Sequence, residues 1–348
     1  MPETNTICGY VIADVRKSLC DAIDHRDRRA ALRWTAELVT TPGAVGSLWA
    51  AYWLAWSAFS DPTLPILLKQ SWSTITDAAH AYAGDWTSFR NDPSVRATAA
   101  EITIRLLDQP RLSPVIWPSK EIILYDVGNM RTATVPVATD GPVVMTVWRR
   151  EDDALEYRMM AGQFLTLLES GDLRGAMSAV AWTMTNTNPA LKCGARGPTT
   201  LPAKARTSPI WFWMDIGRVF FQKRTGLHRG WITMQSAITE AFHNNYRRWT
   251  AGERMRILLA WILQLRASVL PPSGEMWTVA PIQQSAAAVD LAYKELATEL
   301  TADIHPQVIA TVKPTTKKAK KDDVDSRMEA KMAEADAAIM ASLGIDAR

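Results

Sequence analysis

The chain has 348 residues, with 39 Lys and Arg against 36 Asp and Glu, a formal charge of +3, and 47% apolar and 22% charged residues. A chain of this length buries a sizeable core, and the balance excludes wholesale disorder and collagen-like repeats, while the net charge is too small to name a partner. Three cysteines, Cys8, Cys20 and Cys193, exclude a disulfide framework, and with no signal-peptide pattern near Met1 they predict an intracellular, reducing compartment.

Helical spacing opens the chain. Val11, Val15, Leu19 and Ile23 predict a helix over Val11 to His25, and Asp27 reads as an N-cap for a second helix from Ala30 to Val39. Thr40 to Gly43 is a stop signal between antiparallel helices. Next comes the segment where the unusual tryptophan content, 15 against 7 Phe and 7 Tyr, is most concentrated. No charge falls between Glu37 and Asp61, so a membrane span has to be considered. Pro42, Gly43 and Gly46 interrupt it, and Trp49, Trp53 and Trp56 share a face with Leu48 and Tyr52 in mid-run, where a span would place tryptophan at its two ends. A buried core helix fits better, and no membrane span is expected. Leu64 to Ala83 and Ser94 to Leu107 complete the first helical block.

Past Gln109 the texture changes. Pro110, Pro114 and Pro118 break any helix, and Glu121 to Tyr125, Arg131 to Val137 and Val143 to Trp148 read as three strands of a small meander. The helical pattern returns at Glu151, with Leu155, Met159, Phe164 and Leu168, then Leu173 to Met184. A Gly-, Pro- and Thr-rich loop covers Asn186 to Ser208. Helices are predicted over Ile210 to Phe221, Trp231 to Trp249, Glu253 to Leu270 and Ile282 to Ile304. Ile23 to Leu32 aligns with Leu168 to Met177: in each, a helix ends, an Asp (Asp27, Asp172) stands where it can cap, and a small-residue helix begins.

No motif for chemistry emerges. There is no phosphate-binding Gly-x-x-x-x-Gly-Lys loop, no dinucleotide fingerprint, no nucleophile elbow, no Cys-x-x-Cys and no paired His-x-x-x-His. No catalytic residue, metal site or cofactor is therefore assigned, and Cys193 reads as a plain loop thiol. Asp152-Asp153 and Asp322-Asp323 read as acids beside helix starts, offsetting the backbone dipole. Glu37 lies on an apolar helix and is expected to pair with Arg33 or Arg29.

Charge is regional. From Ala190 to Ile232 there are eight Lys and Arg and one acid, Asp215, with Trp211, Phe212, Trp213, Phe220, Phe221 and Trp231 interleaved. Arg247, Arg248, Arg254 and Arg256 extend the run. This composition suits DNA or RNA: cations displace counterions from phosphates, and rings can stack on bases. Lys204, Arg206, Arg218, Lys223, Arg224, Arg229, Arg247 and Arg248 are the candidate nucleic-acid contacts. The competing reading makes the rings core and the cations an ordinary solvated face. In the tail, the lysines from Lys313 to Lys321 form a linker, a localisation signal or a weak phosphate clamp. Val324, Met328, Met332, Ile339 and Leu343 follow at helical spacing, an apolar face for docking a protein partner or for folding back on the body.

One stretch resembles a known family. Asp27, Ala31, Trp34 to Val39, Leu48-Trp49 and Asp61-Pro62-Thr63-Leu64-Pro65 resemble an uncharacterised helical protein family of large nucleocytoplasmic DNA viruses, over about the first seventy residues. Asp61 stands where that family carries Asn. The resemblance implies a viral origin, hence the host cytoplasm, a viral factory or the virion, and a helical fold without known catalytic residues. More distantly, Ala22 to Val39 is similar to the helical collar of clamp loaders, which would imply replication machinery.

Together these readings predict a mainly α protein, a multi-helix bundle or helical-hairpin array with a small antiparallel β insertion and a partly disordered C-terminal tail. Its parts would be a helical block 1–109, a meander 110–150, a second helical block 151–305 and a basic linker with tail helix 306–348. The expected function is a non-enzymatic interaction protein working beside viral DNA replication or transcription; the alternative is a structural virion component or assembly scaffold.

Overall fold

The computed structural model describes residues 5–264, apart from 42, 60–62, 83, 110–140, 187, 189 and 224–228, together with residue 294. The first helices are α1 (Ile12–Asp24), α2 (Arg28–Thr40), α3 (Val45–Phe59), α4 (Leu64–Ala81), α5 (Trp86–Asn91) and α6 (Pro93–Asp108). They are followed by α7 (Pro142–Val147), α8 (Leu155–Ser170), α9 (Leu173–Thr185), α10 (Ala203–Arg206), α11 (Pro209–Lys223), α12 (Arg229–Asn245) and α13 (Ala251–Gln264). The fold is mainly helical, as expected.

The local signals explain most boundaries. Asp27 accepts from the Ala30 amide (3.0 Å), Asp92 from Ser94 (2.6 Å) and Asp172 from Gly175 (2.8 Å), each satisfying amides that a helix start leaves open. The aligned segments at Asp27 and Asp172 share their backbone too. The residue just before each cap, Arg26 (φ 57°) and Gly171 (φ 89°), is left-handed. The tight reversal this produces lets α1 pack on α2 and α8 on α9 as two antiparallel hairpins. Asp27→Ala and Asp172→Ala are each expected to lower stability by about 1 kcal/mol in urea denaturation.

Among the described residues there is no strand, and one strand of the expected meander is corrected. Val143 to Trp148 is not extended: Pro142–Val147 forms α7. Pro142 at its first turn supplies a helical φ and lacks only an amide hydrogen that would go unused. Val143, Val144 and Val147 then fall on one buried face against α8 and α11. The β-branched run that reads as a strand is thus overridden by packing. The strands expected at Glu121 to Tyr125 and Arg131 to Val137, the helix at Ile282 to Ile304 apart from Lys294, and the whole tail lie outside the described residues.

The helical blocks expected on either side of residues 110–150 share one core, which runs from Val15 to Ile262. Helix α3 is its axis, packed against α1, α2, α4 and α6 and also against α12 and α13. Its alanines Ala51 and Ala55 are as buried as Trp49, Trp53 and Trp56, so burial extends well beyond the one face expected from the sequence, and Ser47, Leu54 and Ala58 form a half-buried stripe. Two of its polar groups are satisfied internally: Trp49 Nε1 donates to the Leu68 carbonyl, and Tyr52 Oη donates to the Ala99 carbonyl (2.7 Å). From the far end of the chain, Trp249 Nε1 donates to the Ala50 carbonyl (3.1 Å). No described helix is long and apolar enough to cross a membrane.

Candidate nucleic-acid interface

The basic run is built on a loop that one buried ion pair holds in place. Asp153 accepts both terminal nitrogens of Arg196, at 2.7 and 2.5 Å, and also the amides of Gly194 and Arg149, each at 2.8 Å. The two side chains are 0% and 2% exposed. Arg196 Nη2 also donates to the Val147 carbonyl (2.9 Å), its Nε lies 3.5 Å from Asp215, and its guanidinium covers the Phe212 ring. This one side chain therefore joins the end of α7, the turn before α8, the 193–197 loop and α11. Burial alone would raise the Asp153 carboxyl, but the hydrogen bonds from Arg196, Gly194 and Arg149 outweigh it and hold the group below the usual carboxylate range.

This revises the reading of the acidic pair. Asp153 stands beside the start of α8, just before the N-cap Ala154, but its carboxylate is the acceptor of a buried pair, while Asp152 stays at the surface 3.8 Å from Arg149. Arg196 is a buried strut and not a surface cation. The sequence carries no local sign of this pairing, because the partners stand 43 residues apart. Cys193, beside the pair, is pushed up to about 12 by burial, so it remains a protonated thiol.

Beyond the strut, the loop returns to itself: the Arg206 carbonyl accepts from the Arg196 and Gly197 amides (2.9 and 3.0 Å). That closure fixes α10, a single turn carrying Lys204 and Arg206. Trp211 Nε1 donates to the Ala205 carbonyl (2.8 Å), and the same indole stacks on Tyr246 (centroids 5.5 Å apart, 21° between planes). Tyr246 precedes Arg247, whose guanidinium donates to the Thr200 carbonyl (3.3 Å). Lys204, Arg206 and Arg247 are thus gathered around Trp211. Lys204 and Arg247 are exposed, and Arg206 Nε is buried with no hydrogen-bond partner.

The remaining candidates divide. Arg218 and Lys223 are exposed along α11, with Arg218 3.2 Å from Asp215, its own neighbour one turn back. Arg248 lies apart, its guanidinium against Gly46 at the start of α3 and donating to the Asn244 carbonyl (3.0 Å). Arg224 and the Arg229 side chain lie outside the described residues, as do Val324, Met328, Met332, Ile339 and Leu343. Arg254 ties off the end of α12 through the Tyr246 and Trp249 carbonyls. His243, exposed over the Trp211 ring, is held below the usual histidine value chiefly by desolvation of its ring, partly countered by Glu240.

Other marked residues have internal uses. Glu37 is buried, its carboxylate accepts from the Cys8 amide (3.1 Å), and Arg33 donates to the Tyr10 hydroxyl. Among the described residues, no three His, Cys, Asp or Glu side chains gather as metal ligands would. A crevice between α3, α4 and α12, lined by Trp49, Trp53, Trp72 and the Lys69–Glu240 pair, holds about 10 Å³, room for roughly one water. Compared with known proteins, the chain matches no family model, no curated protein and no solved structure.

Proposed function

We propose that this chain is a non-enzymatic interaction protein that holds a polyanion on the surface formed by Lys204, Arg206 and Arg247, flanked by Arg218 and Lys223. DNA replication or transcription, a setting in keeping with the similarity of Ala22 to Val39 to the clamp-loader collar, supplies such a partner. The observation that carries the reading is the mounting of these cations. A closed loop, pinned by a buried pair and by Trp211, presents Lys204 and Arg206, Arg247 is tied to it through the Thr200 carbonyl, and Arg206 Nε has no partner of its own. Binding side chains on loops held by a rigid scaffold lose little freedom when a ligand arrives. The surface is narrower than the sequence suggests, since Arg196, Arg248 and Arg254 are engaged in holding the fold.

Lys204→Gln/Arg206→Gln/Arg247→Gln is the test, read by fluorescence anisotropy on a labelled 20-base-pair duplex across a salt series. Affinity should fall at least about tenfold at low salt, and the slope of log affinity against log salt should flatten by about 2 to 3, one counterion equivalent per lost contact. Circular dichroism checks that the triple variant is folded. Absence of wild-type binding at low salt, or a triple variant that binds like wild type, overturns the reading.

A further inference from the structure

We infer that the partner of this surface is a nucleic-acid double helix gripped through its phosphates, and not a single strand held by base stacking; the inference rests on the polyanion reading above. Its first ground is the fate of the aromatic rings. Among the described residues no Trp, Tyr or Phe side chain is exposed; the large apolar side chains at the surface are Val11, Met145, Leu155 and Ile232. Within the basic run every indole is spoken for. Trp211 is sandwiched by its bond to Ala205 and its stack on Tyr246, and Trp213 Nε1 donates to Thr183 Oγ1 (2.6 Å). Trp231 packs against Phe221, with ring centroids 4.8 Å apart. Proteins that hold single strands draw much of their affinity from bases stacked on open rings, and among the described residues this surface offers no open Trp, Tyr or Phe; the exposed His243 ring is already seated on Trp211.

The second ground is the arrangement of the charges. Lys204 and Arg206 share one helical turn closed onto the loop, Arg247 is tethered to Thr200, and Arg218 and Lys223 project from the solvent face of a long helix. Cations at fixed positions suit a partner whose phosphates are also at fixed positions. A duplex provides that, with about one charge per 1.7 Å of axis, whereas a single strand must be ordered to match. Without ring or base contacts the surface cannot read sequence, so recognition depends on charge and shape.

The experiment measures full-length protein with a labelled 20-base-pair duplex, a second duplex of scrambled sequence, the 20-nucleotide single strand, and vesicles containing phosphatidylserine as competitor. Both duplexes should bind equally, at least about tenfold tighter than the single strand at the same salt, with tryptophan emission unquenched because the rings stay buried. A single strand that binds as well as the duplex, or that quenches tryptophan, overturns the inference while leaving the polyanion reading standing. Vesicles that displace duplex at equal phosphate concentration also overturn it, in favour of a membrane surface. Failure of every polyanion to bind at low salt instead removes the earlier reading.

Discussion

Replacing Asp153 with Ala is expected to destabilise the fold by about 3–5 kcal/mol, the largest loss among the substitutions considered. The change leaves the Arg196 guanidinium buried without its counter-charge and strips the Gly194 and Arg149 amides of their acceptor. The loss should appear as a fall in the urea midpoint. Asp153→Ala/Arg196→Met should cost less than the two single changes summed, because the stranded charge is gone. The pair also carries a pH signature. A carboxyl whose folded pKa lies below its unfolded value, about 3.9, contributes stability that is complete above that unfolded value and is lost as pH falls through the folded one. The stability gap between wild type and Asp153→Asn should therefore be full at pH 6 and shrink toward pH 3. A gap that is flat across this range, or a midpoint unmoved by Asp153→Ala, would mean the carboxylate does not hold the loop.

Gly217→Ala is the second large effect, and its sign is diagnostic. By helix propensity alone, Ala in mid-helix is favoured over Gly by up to about 1 kcal/mol. Gly217, however, lies where α11 crosses α13, and a methyl there would stand 2.6 Å from Trp261 Cζ2 and 2.8 Å from Cζ3. Trp261 is fully buried among neighbours that are themselves buried, so the ring cannot swing away. Overpacking of this kind costs about 1–3 kcal/mol or more, and the backbone of one helix must shift. Trp261→Leu alone should also destabilise by leaving a cavity, but in the Gly217→Ala background it should recover part of the loss. Denaturation of the four proteins in the cycle gives the coupling. A neutral or stabilising Gly217→Ala would show that the two helices do not approach as described.

The helices were legible where a local rule sufficed. Apolar spacing and a capping Asp are read within a few residues, which is why α1, α2, α6 and α9 begin close to where Asp27 and Asp172 or the hydrophobic period place them. The hairpin alignment at Ile23 and Leu168 was legible for the same reason, down to the cap. Val143 to Val147 was misread because β-branched side chains favour extended backbone unless a buried face elsewhere claims them, and that face belongs to α11, more than sixty residues on.

The candidate interface was legible in count but not in assignment. Eight cations against one acid are visible in the run from Ala190 to Ile232, yet nothing near Arg196 reveals that it faces Asp153 across a loop. Equally, alternation of rings with cations looks the same whether the rings point out or in. Only the packing of α11 on α7, α9 and α13 decides that Trp211, Phe212 and Trp213 belong to the core.

The position of α3 has a consequence for how the polypeptide is made. Its backbone carbonyl at Ala50 receives the indole of Trp249, a residue synthesised 199 positions later. At about 5–20 residues per second, a ribosome takes about 10–40 s to cover that distance. During that interval a nascent chain presents a tryptophan-rich helix whose final covering has yet to emerge, the kind of surface that holdase chaperones bind. Chains terminated between α6 and α12 retain this opening permanently, and are marked out as the aggregating products of any truncated message.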